Sequence, residues 1–452
     1  EATRLLQKCR RPFPSDSAAS PSLPPSSSVP RAPNASTLRG VPPLEGMTNW
    51  LLMLGHKTDD IDRLNVIHVA GTKGKGSTCA YVDCFLQEHA RRNEITRKVG
   101  LYTSPSLWPR NRIRIDSTPL PEDLFTKYVI EVSRCLSIES DMSPSSTKNP
   151  GFLQMMAIVS FHTFIKEGVD VVICEAHHGG EFDATNFIRH PAITAITKIG
   201  MDHVDNLGGT IQSIAWHKSG IFKAGVLALS VPQDPDAEHE IERRSKEKGA
   251  LLQFAEVVKM EGIPLEQREN VALATQIAHE FLQRSDHSLD ERDVLAGIEK
   301  CRWPGRFDII DYSGCTWYLD GAHNETSMEV VANWYERVAS NSIRVLVFAH
   351  FSPKRTRDWS KILQTLGTSL QSRIQHVIFV DKIEYDHHFT TPSGWLEEYA
   401  QFWMKRWPPD TIDKAPTVKK GIEKAMKFGT GAQILVTGSL YLVEAALEIV
   451  KT

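Results

Sequence analysis

From residue 43 onward, short β-rich runs alternate with helical stretches, and this rhythm restricts the fold more than any other feature. "NVIHVA", "VGLYTS", "DVVICEA" and "AITAITKIG" read as strands, and "TCAYVDCFLQEHARR" reads as a helix. Apolar strands separated by helices belong to a mostly parallel sheet covered on both faces. A second set follows Trp303: "TWYLDGA", "RVLVFAH", "HVIFVD" and "QILVTG". Between the sets, residues 266–300 carry a helical pattern without strand signal, and Pro304-Gly305 in "CRWPGR" breaks it. The chain is therefore α/β, with an N-terminal segment (1–42), a central domain (43–302) and a C-terminal domain (303–452). No internal repeat is evident.

Bulk composition narrows the class. The 452 residues are 41% hydrophobic and 24% charged, which suits an ordinary soluble globular protein. A net charge of −3 lacks the basic excess of a nucleic-acid binder. No apolar run approaches the roughly 20 residues that span a bilayer. Seven scattered cysteines form no CxxC pair, so neither a zinc site nor a disulfide framework is indicated. Cys79 and Cys84 are expected to be small buried hydrophobes. The chain opens on Glu1 instead of Met, as expected of a processed, truncated or incomplete sequence. Residues 12–37 are rich in Pro, Ser and Ala and read as a flexible linker. Arg4, Lys8, Arg10 and Arg11 fit a transit-peptide remnant, or a short helix "EATRLLQKCRR" packing through Leu5 and Leu6. No secretory h-region is present.

In open α/β sheets ligands collect at the carboxyl ends of strands. "GTKGKGST" follows the first strand and opens a helix. Its three glycines let the backbone wrap an anion, and the helix start adds N–H donors. A lysine supplies charge for outer phosphates, and a Ser/Thr hydroxyl reaches Mg2+. The spelling is unusual, because Gly76 separates Lys75 from Ser77. Glu175 ends "DVVICE", a rigid hard-oxygen ligand beside the loop. His177 and His178 are adjacent, so they cannot both face one metal from a regular strand. His203 follows a third strand as ligand, base or loop hydrogen-bonder, and Lys218 lies on a helix. In the second set Asp320 and His323 follow one strand, and Gly438 and Ser439 another; Arg306 sits at the boundary. Two such sets imply a small-molecule site in a cleft between domains.

The ordered motifs "GTKGKGST", "YTSP", "RIRI", "GGEFDATN", "MDHVDNLGGTIQSIAW", "KSGIFKAG", "WPGR", "YLDGAHN" and "GSLYLV" resemble the folylpolyglutamate synthases, kin of the Mur ligases. The resemblance runs from about Pro43 to the C-terminus and is nearer to the eukaryotic branch. It implies an N-terminal P-loop ATPase domain and a C-terminal Rossmann-like domain. It also implies ATP-dependent formation of an acyl phosphate, which the amine of L-glutamate converts to an amide. The family spelling GTxGKGS accounts for the odd loop. Gly71, Thr72, Gly74, Lys75, Gly76, Ser77 and Thr78 then match the phosphate cradle, and Lys73 falls on its variable position. Asn270, Arg306 and Asp320 match positions for adenine, phosphates and ribose. Ser77 and Glu175 match ligands of the ATP-bound Mg2+; Glu175 and His203 match those of a second metal. Lys218 matches a lysine that several relatives carry as a metal-binding carbamate. Lys75, His203, Lys218, Asp320 and His323 are the implied catalytic set. Ser104, Pro105, Ser106, Arg112, Asp183, His323 and Ser439 are the implied substrate residues. ATP and Mg2+ are the implied cofactors, with a monovalent cation, K+, as a further candidate. The implied partners are a reduced folate or other carboxylic acid and L-glutamate, with no nucleic acid or membrane. A cytoplasmic monomer is expected, with a mitochondrial form as the second location.

The chain departs from the family pattern near the acid substrate. "SPSLWPRNRIRI" has Ser106 where His is usual, Asn111 where an acid is usual, and one residue fewer. His177 and His178 replace a small pair, and Glu266 stands where His is frequent. Three readings stand side by side: a folylpolyglutamate synthase; an amide ligase of the same chemistry acting on a non-folate acid; and an inactive ATP-binding paralogue. The retained Lys75, Glu175, His203, Lys218 and Asp320 speak against the third.

Overall fold

The computed structural model describes residues 1–9, 44–138, 149–257, 263–351, 358–384, 386–392 and 394–451. The linker reading (12–37) and Arg10 and Arg11 lie outside the described residues. The chain divides into two compact units. The first holds Glu1–Ser104 and Trp108–Cys301; the second holds Pro105–Leu107 and Arg302–Thr452.

The first unit is built on eight strands: β1 Ile67–Ala70, β2 Val99–Tyr102, β3 Ile113–Ile115, β4 Thr118–Pro119, β5 Val171–Glu175, β6 Ile193–Ile196, β7 Leu227–Ser230 and β8 Leu251–Phe254. Their order is β4-β3-β2-β5-β1-β6-β7-β8. From β2 to β8 every pairing is parallel; β3 and β4 extend the β2 edge antiparallel. The central strands β1, β2, β5 and β6 are buried along their whole length, which is why they read as continuous apolar runs. The chain leaves β1 toward β2 on one side and β6 toward β7 on the other. The loop after β1 thus opens at a point where strand order reverses, the usual place for a ligand in such sheets.

The phosphate-loop helix starts earlier than the apolar pattern suggested, running Lys75–Arg92. Helices Arg268–Gln283 and Glu291–Lys300 pack on it. The N-terminal helix Ala2–Lys8 forms and buries Leu5 and Leu6, in the same core as helices Glu122–Cys135 and Phe152–Lys166. Cys79 is fully buried, whereas Cys84 is only half-buried and hydrogen-bonds the Cys301 side chain.

The second unit carries β9 Asp308–Tyr312, β10 Cys315–Leu319, β11 Arg344–Phe348, β12 His376–Val380, β13 Lys382–Ile383, β14 Asp386–Thr390, β15 Thr411–Ala415 and β16 Gln433–Thr437. Its main sheet runs β15-β12-β11-β16-β10-β9, parallel except for β9; β13 and β14 pair separately. The four strands legible in the sequence are its centre. The edges β9 and β15 mix charged and apolar residues and are partly exposed, so they lack the continuous apolar signature. Among the described residues, no helix is long and apolar enough to cross a membrane.

Burial leaves several imidazoles neutral. His68, on β1, is held down to about 3, mainly by desolvation, and His56 and His217 to about 4 for the same reason. The unfolded chain protonates these rings near the ordinary value, so below it the unfolded state binds more protons. This stability is complete above about pH 6.5 and drains away as pH falls toward 4. The melting temperature should therefore fall between about pH 7.5 and about pH 5, and His68→Asn should make that fall shallower. Melting curves of both proteins across the range check this; parallel pH dependences would contradict it.

Candidate active site

The loop after β1 turns into its helix through Gly74, whose φ of +83° lies in the left-handed region. Beyond it the amides of Lys75, Gly76 and Ser77 belong to the first helical turn, where N–H groups have no intrahelical acceptor. The amides of Thr72 and Lys73 instead donate to the Lys198 carbonyl, 3.1 Å each, and the Thr72 hydroxyl bridges Gly200. The loop is therefore pinned to the end of β6 on one side and open to an anion on the other. Ser77 and Thr78 are buried beneath it. Asn270 reaches the same place from helix Arg268–Gln283. Its side-chain oxygen lies 3.5 Å from the Thr78 hydroxyl, and its amide donates to Gln267.

Lys75 leans toward Glu175, Nζ to Oε1 3.8 Å, and is mostly buried. The other Glu175 oxygen accepts the Ser104 amide at 2.9 Å, so this carboxylate joins the loops after β2 and β5. Arg112 is buried with its guanidinium over the Phe152 ring, and Nη1 lies 3.3 Å from the Ser104 hydroxyl.

Lys218 is 1% exposed, and its Nζ donates to the carbonyls of Gly71 (2.7 Å) and His178 (3.1 Å). Burial, then the Lys75 charge, pushes its pKa down to about 7. The backbones here touch without side chains between them. A Cβ on Gly180 would fall 2.4 Å from the carbonyl oxygens of His217 and Lys218, and one on Gly220 would fall 2.3 Å from the Cα of Glu181. His203 takes a left-handed backbone, φ 51°, at the start of helix Val204–Leu207. Its ring rests on His178, centroids 4.5 Å apart, and burial with that neighbour holds its pKa down to about 3. The adjacent histidines do diverge: His178 faces His203, while His177 contacts Tyr102 and Asp183. Asp183 caps the short helix Ala184–Phe187 and is itself buried.

In the second unit, β10 and β16 are parallel neighbours, and their ends carry the candidate groups. Asp320 is buried and accepts the amides of Phe307 and Ala322; desolvation raises its pKa to about 6 against the opposing pull of Arg306. His323 Nδ1 lies 2.8 Å from the Gly321 carbonyl. Ser439 is buried and caps helix Leu440–Val450. Ser106 donates to Glu444 at 3.1 Å, and both belong to this unit, as does Pro105.

Among the described residues no three His, Cys, Asp or Glu side chains converge as a ready metal cage. The oxygen groups present are the Ser77 hydroxyl at the helix start and the buried Glu175 carboxylate. They fit a hard divalent cation that completes its shell with phosphate and water.

The Neurospora crassa folylpolyglutamate synthase is 34% identical to this chain, over 90% of this chain and 85% of its own length. This chain belongs to the folylpolyglutamate synthase family. A probable folylpolyglutamate synthase of Schizosaccharomyces pombe is 32% identical over 88% of this chain and 85% of its own length. The family "Mur ligase, glutamate ligase domain" matches residues 305–440, and the chain is a ligase of that kind. The fold is that of the Mycobacterium tuberculosis folylpolyglutamate synthase complexed with ADP and AMPPCP: TM-score 0.75, 23% identity, covering 91% of this chain and 96% of that one. Neither a non-folate acid ligase nor an inactive paralogue finds support among these relatives.

Sequence reasoning missed Tyr102 and gave His177 no role. The only available signal was a polar aromatic at the end of a strand that abuts the Glu175 strand.

The phosphate loop yields a direct test. Gly74→Ala imposes a left-handed conformation costing about 1–2 kcal/mol on an L-residue. Its Cβ would also fall 1.9 Å from the Asn270 side-chain oxygen. Calorimetry should show ADP binding weakened by about tenfold or more. Wild-type affinity would mean that Asn270 and this turn do not shape the nucleotide site.

Proposed function

We propose that the protein adds L-glutamate to the γ-carboxylate of tetrahydrofolyl-(poly)glutamate, consuming ATP and releasing ADP and phosphate. The observation that carries this reading is the similarity to the Neurospora folylpolyglutamate synthase along 85% of that protein. The site chemistry supports it. A carboxylate is a poor acyl donor until a phosphoryl group makes one of its oxygens a leaving group. Its oxygen attacks the γ-phosphate and ADP departs. The glutamate amine then attacks the acyl carbon, phosphate departs, and the amine gives up a proton.

Crowded negative charge in the first step requires fixed cations and N–H donors. Lys75 and the first-turn amides of its helix supply both. Ser77 and Glu175 would hold Mg2+, which supplies Lewis-acid charge at the phosphates. Glu175 and His203 would serve a second ion. With its pKa held near 3, His203 keeps a free lone pair at neutral pH. K+ is a further candidate ion. Asn270, Arg306 and Asp320 take the nucleotide; Ser104, Pro105, Ser106 and Arg112 take the acid; His323 and Ser439 take the incoming amino acid. A pKa near 7 leaves Lys218 partly neutral at physiological pH, the form that adds CO2. As an amine it ties two carbonyls, and as a carbamate its remaining N–H ties one. A cytoplasmic monomer, with a mitochondrial form, completes this reading.

The decisive assay incubates the protein with ATP, Mg2+, L-glutamate and tetrahydrofolate. Expected are ADP, phosphate and lengthened γ-glutamyl chains; ADP release independent of the acid and glutamate would overturn the reading. Lys75→Ala should lower kcat by about 100-fold or more while the melting temperature changes little. Retained turnover in that variant would remove Lys75 from the phosphate site. If Lys218 is carbamylated, acetate should partly restore Lys218→Ala. Reactivation of CO2-stripped enzyme, compared at equal dissolved CO2, should then be faster above about pH 7 than below it, because the neutral amine gains there.

A further inference from the structure

Tyr102 and His177 have no part in the steps just described, yet they close a gap beside the site. Tyr102 ends β2 and His177 lies just past the end of β5; these strands are parallel neighbours, and the ladder between them ends where Tyr102 pairs with Cys174. Beyond that pair one backbone enters the Ser104 loop and the other the loop of residues 176–180. Two side-chain contacts then bridge them: the Ser104 amide on Glu175, and the Tyr102 hydroxyl on His177 Nε2 at 2.7 Å.

The second bridge continues inward. His177 Nδ1 lies 3.1 Å from Asp183 Oδ1. Facing a carboxylate, Nδ1 carries a proton, and Nε2 is left to the Tyr102 hydroxyl. Asp183 is saturated from several sides. Its Oδ1 also accepts the amide and hydroxyl of Thr185, and its Oδ2 accepts the amides of His178 and Gly179. All three side chains are buried. The Tyr102 hydroxyl, both His177 ring nitrogens and both Asp183 oxygens each have a partner, which favours one geometry for a buried polar network. What it fixes is the loop bearing His178, whose carbonyl accepts Lys218 and whose ring supports His203.

We propose that Tyr102, His177 and Asp183 form a positioning chain that holds the loop of residues 176–180 in its nucleotide-site geometry, with Asp183 acting on the loop and not on the acid substrate. The kinetic part of this inference rests on the ligase reading above; the geometric part does not.

The test uses the full chain and three variants, Tyr102→Phe, His177→Asn and the double variant. Removing a residue that orients a metal or phosphate ligand typically costs about 10–100-fold in affinity or activity. Calorimetry with Mg2+ and ADP should show a loss in that range for His177→Asn. The double variant should be no worse than His177→Asn alone, because one chain is being cut twice. In turnover, kcat should fall with the KM for the folate acid within about twofold of wild type. Two results would overturn the proposal. A large rise in the acid KM with kcat preserved would put the chain in contact with the acid. A lowered melting temperature with unchanged nucleotide affinity and kinetics would make it structural only. Tyr102→Phe removes one oxygen atom, and it decides by the same readouts if His177→Asn does not fold. Should the wild type fail to turn over any folate, the ligase reading falls, while the nucleotide-binding cycle still tests the chain.

Discussion

A lysine amine buried among backbone carbonyls is the constraint on which the first unit's site depends. Lys218 takes Gly71 from the end of β1 and His178 from the loop after β5, and ties both to the end of its own helix. Burying an ammonium group is expensive unless it is hydrogen-bonded, and the lowered pKa records that expense. The two carbonyls offset part of it and are held in return. The phosphate loop, the Glu175 loop and the His203 loop meet around this one nitrogen.

The charges nearby are arranged so that none stands alone. Glu175 has Lys75 on one oxygen and the Ser104 amide on the other. Lys75 in turn is a cation whose partner can be exchanged, since 3.8 Å is an attraction without a tight hydrogen bond. The resting site thus keeps its positive charge compensated while leaving it available.

Legibility from sequence followed burial. β1, β2, β5, β6 and the four central strands of the second sheet announced themselves because both their faces are covered. β9 and β15 did not, because they are partly exposed edges that mix charged and apolar residues. The sequence pattern places the helix after the phosphate loop from Thr78, whereas it starts at Lys75, directly after the left-handed Gly74. The loop lysine, the buried acid and the histidine after β6 are candidates in the sequence because of their place at strand ends. Tyr102 and His177 are not, because 75 residues separate them and neither carries a signature until the sheet brings them together. Asn270 and Lys218 stand out only through the family motifs, since no local pattern distinguishes them from ordinary helix residues.

Where the Lys218 helix passes the loop after β5, Gly180 and Gly220 leave peptide against peptide. The gap between these segments is set by the radii of carbonyl oxygen and Cα atoms, quantities no mutation can alter. Side-chain changes elsewhere in the core can swell or shrink their own surroundings, but here there is nothing to swell. The spacing of these two backbones is thereby one that a side chain added at Gly180 or Gly220 would force open.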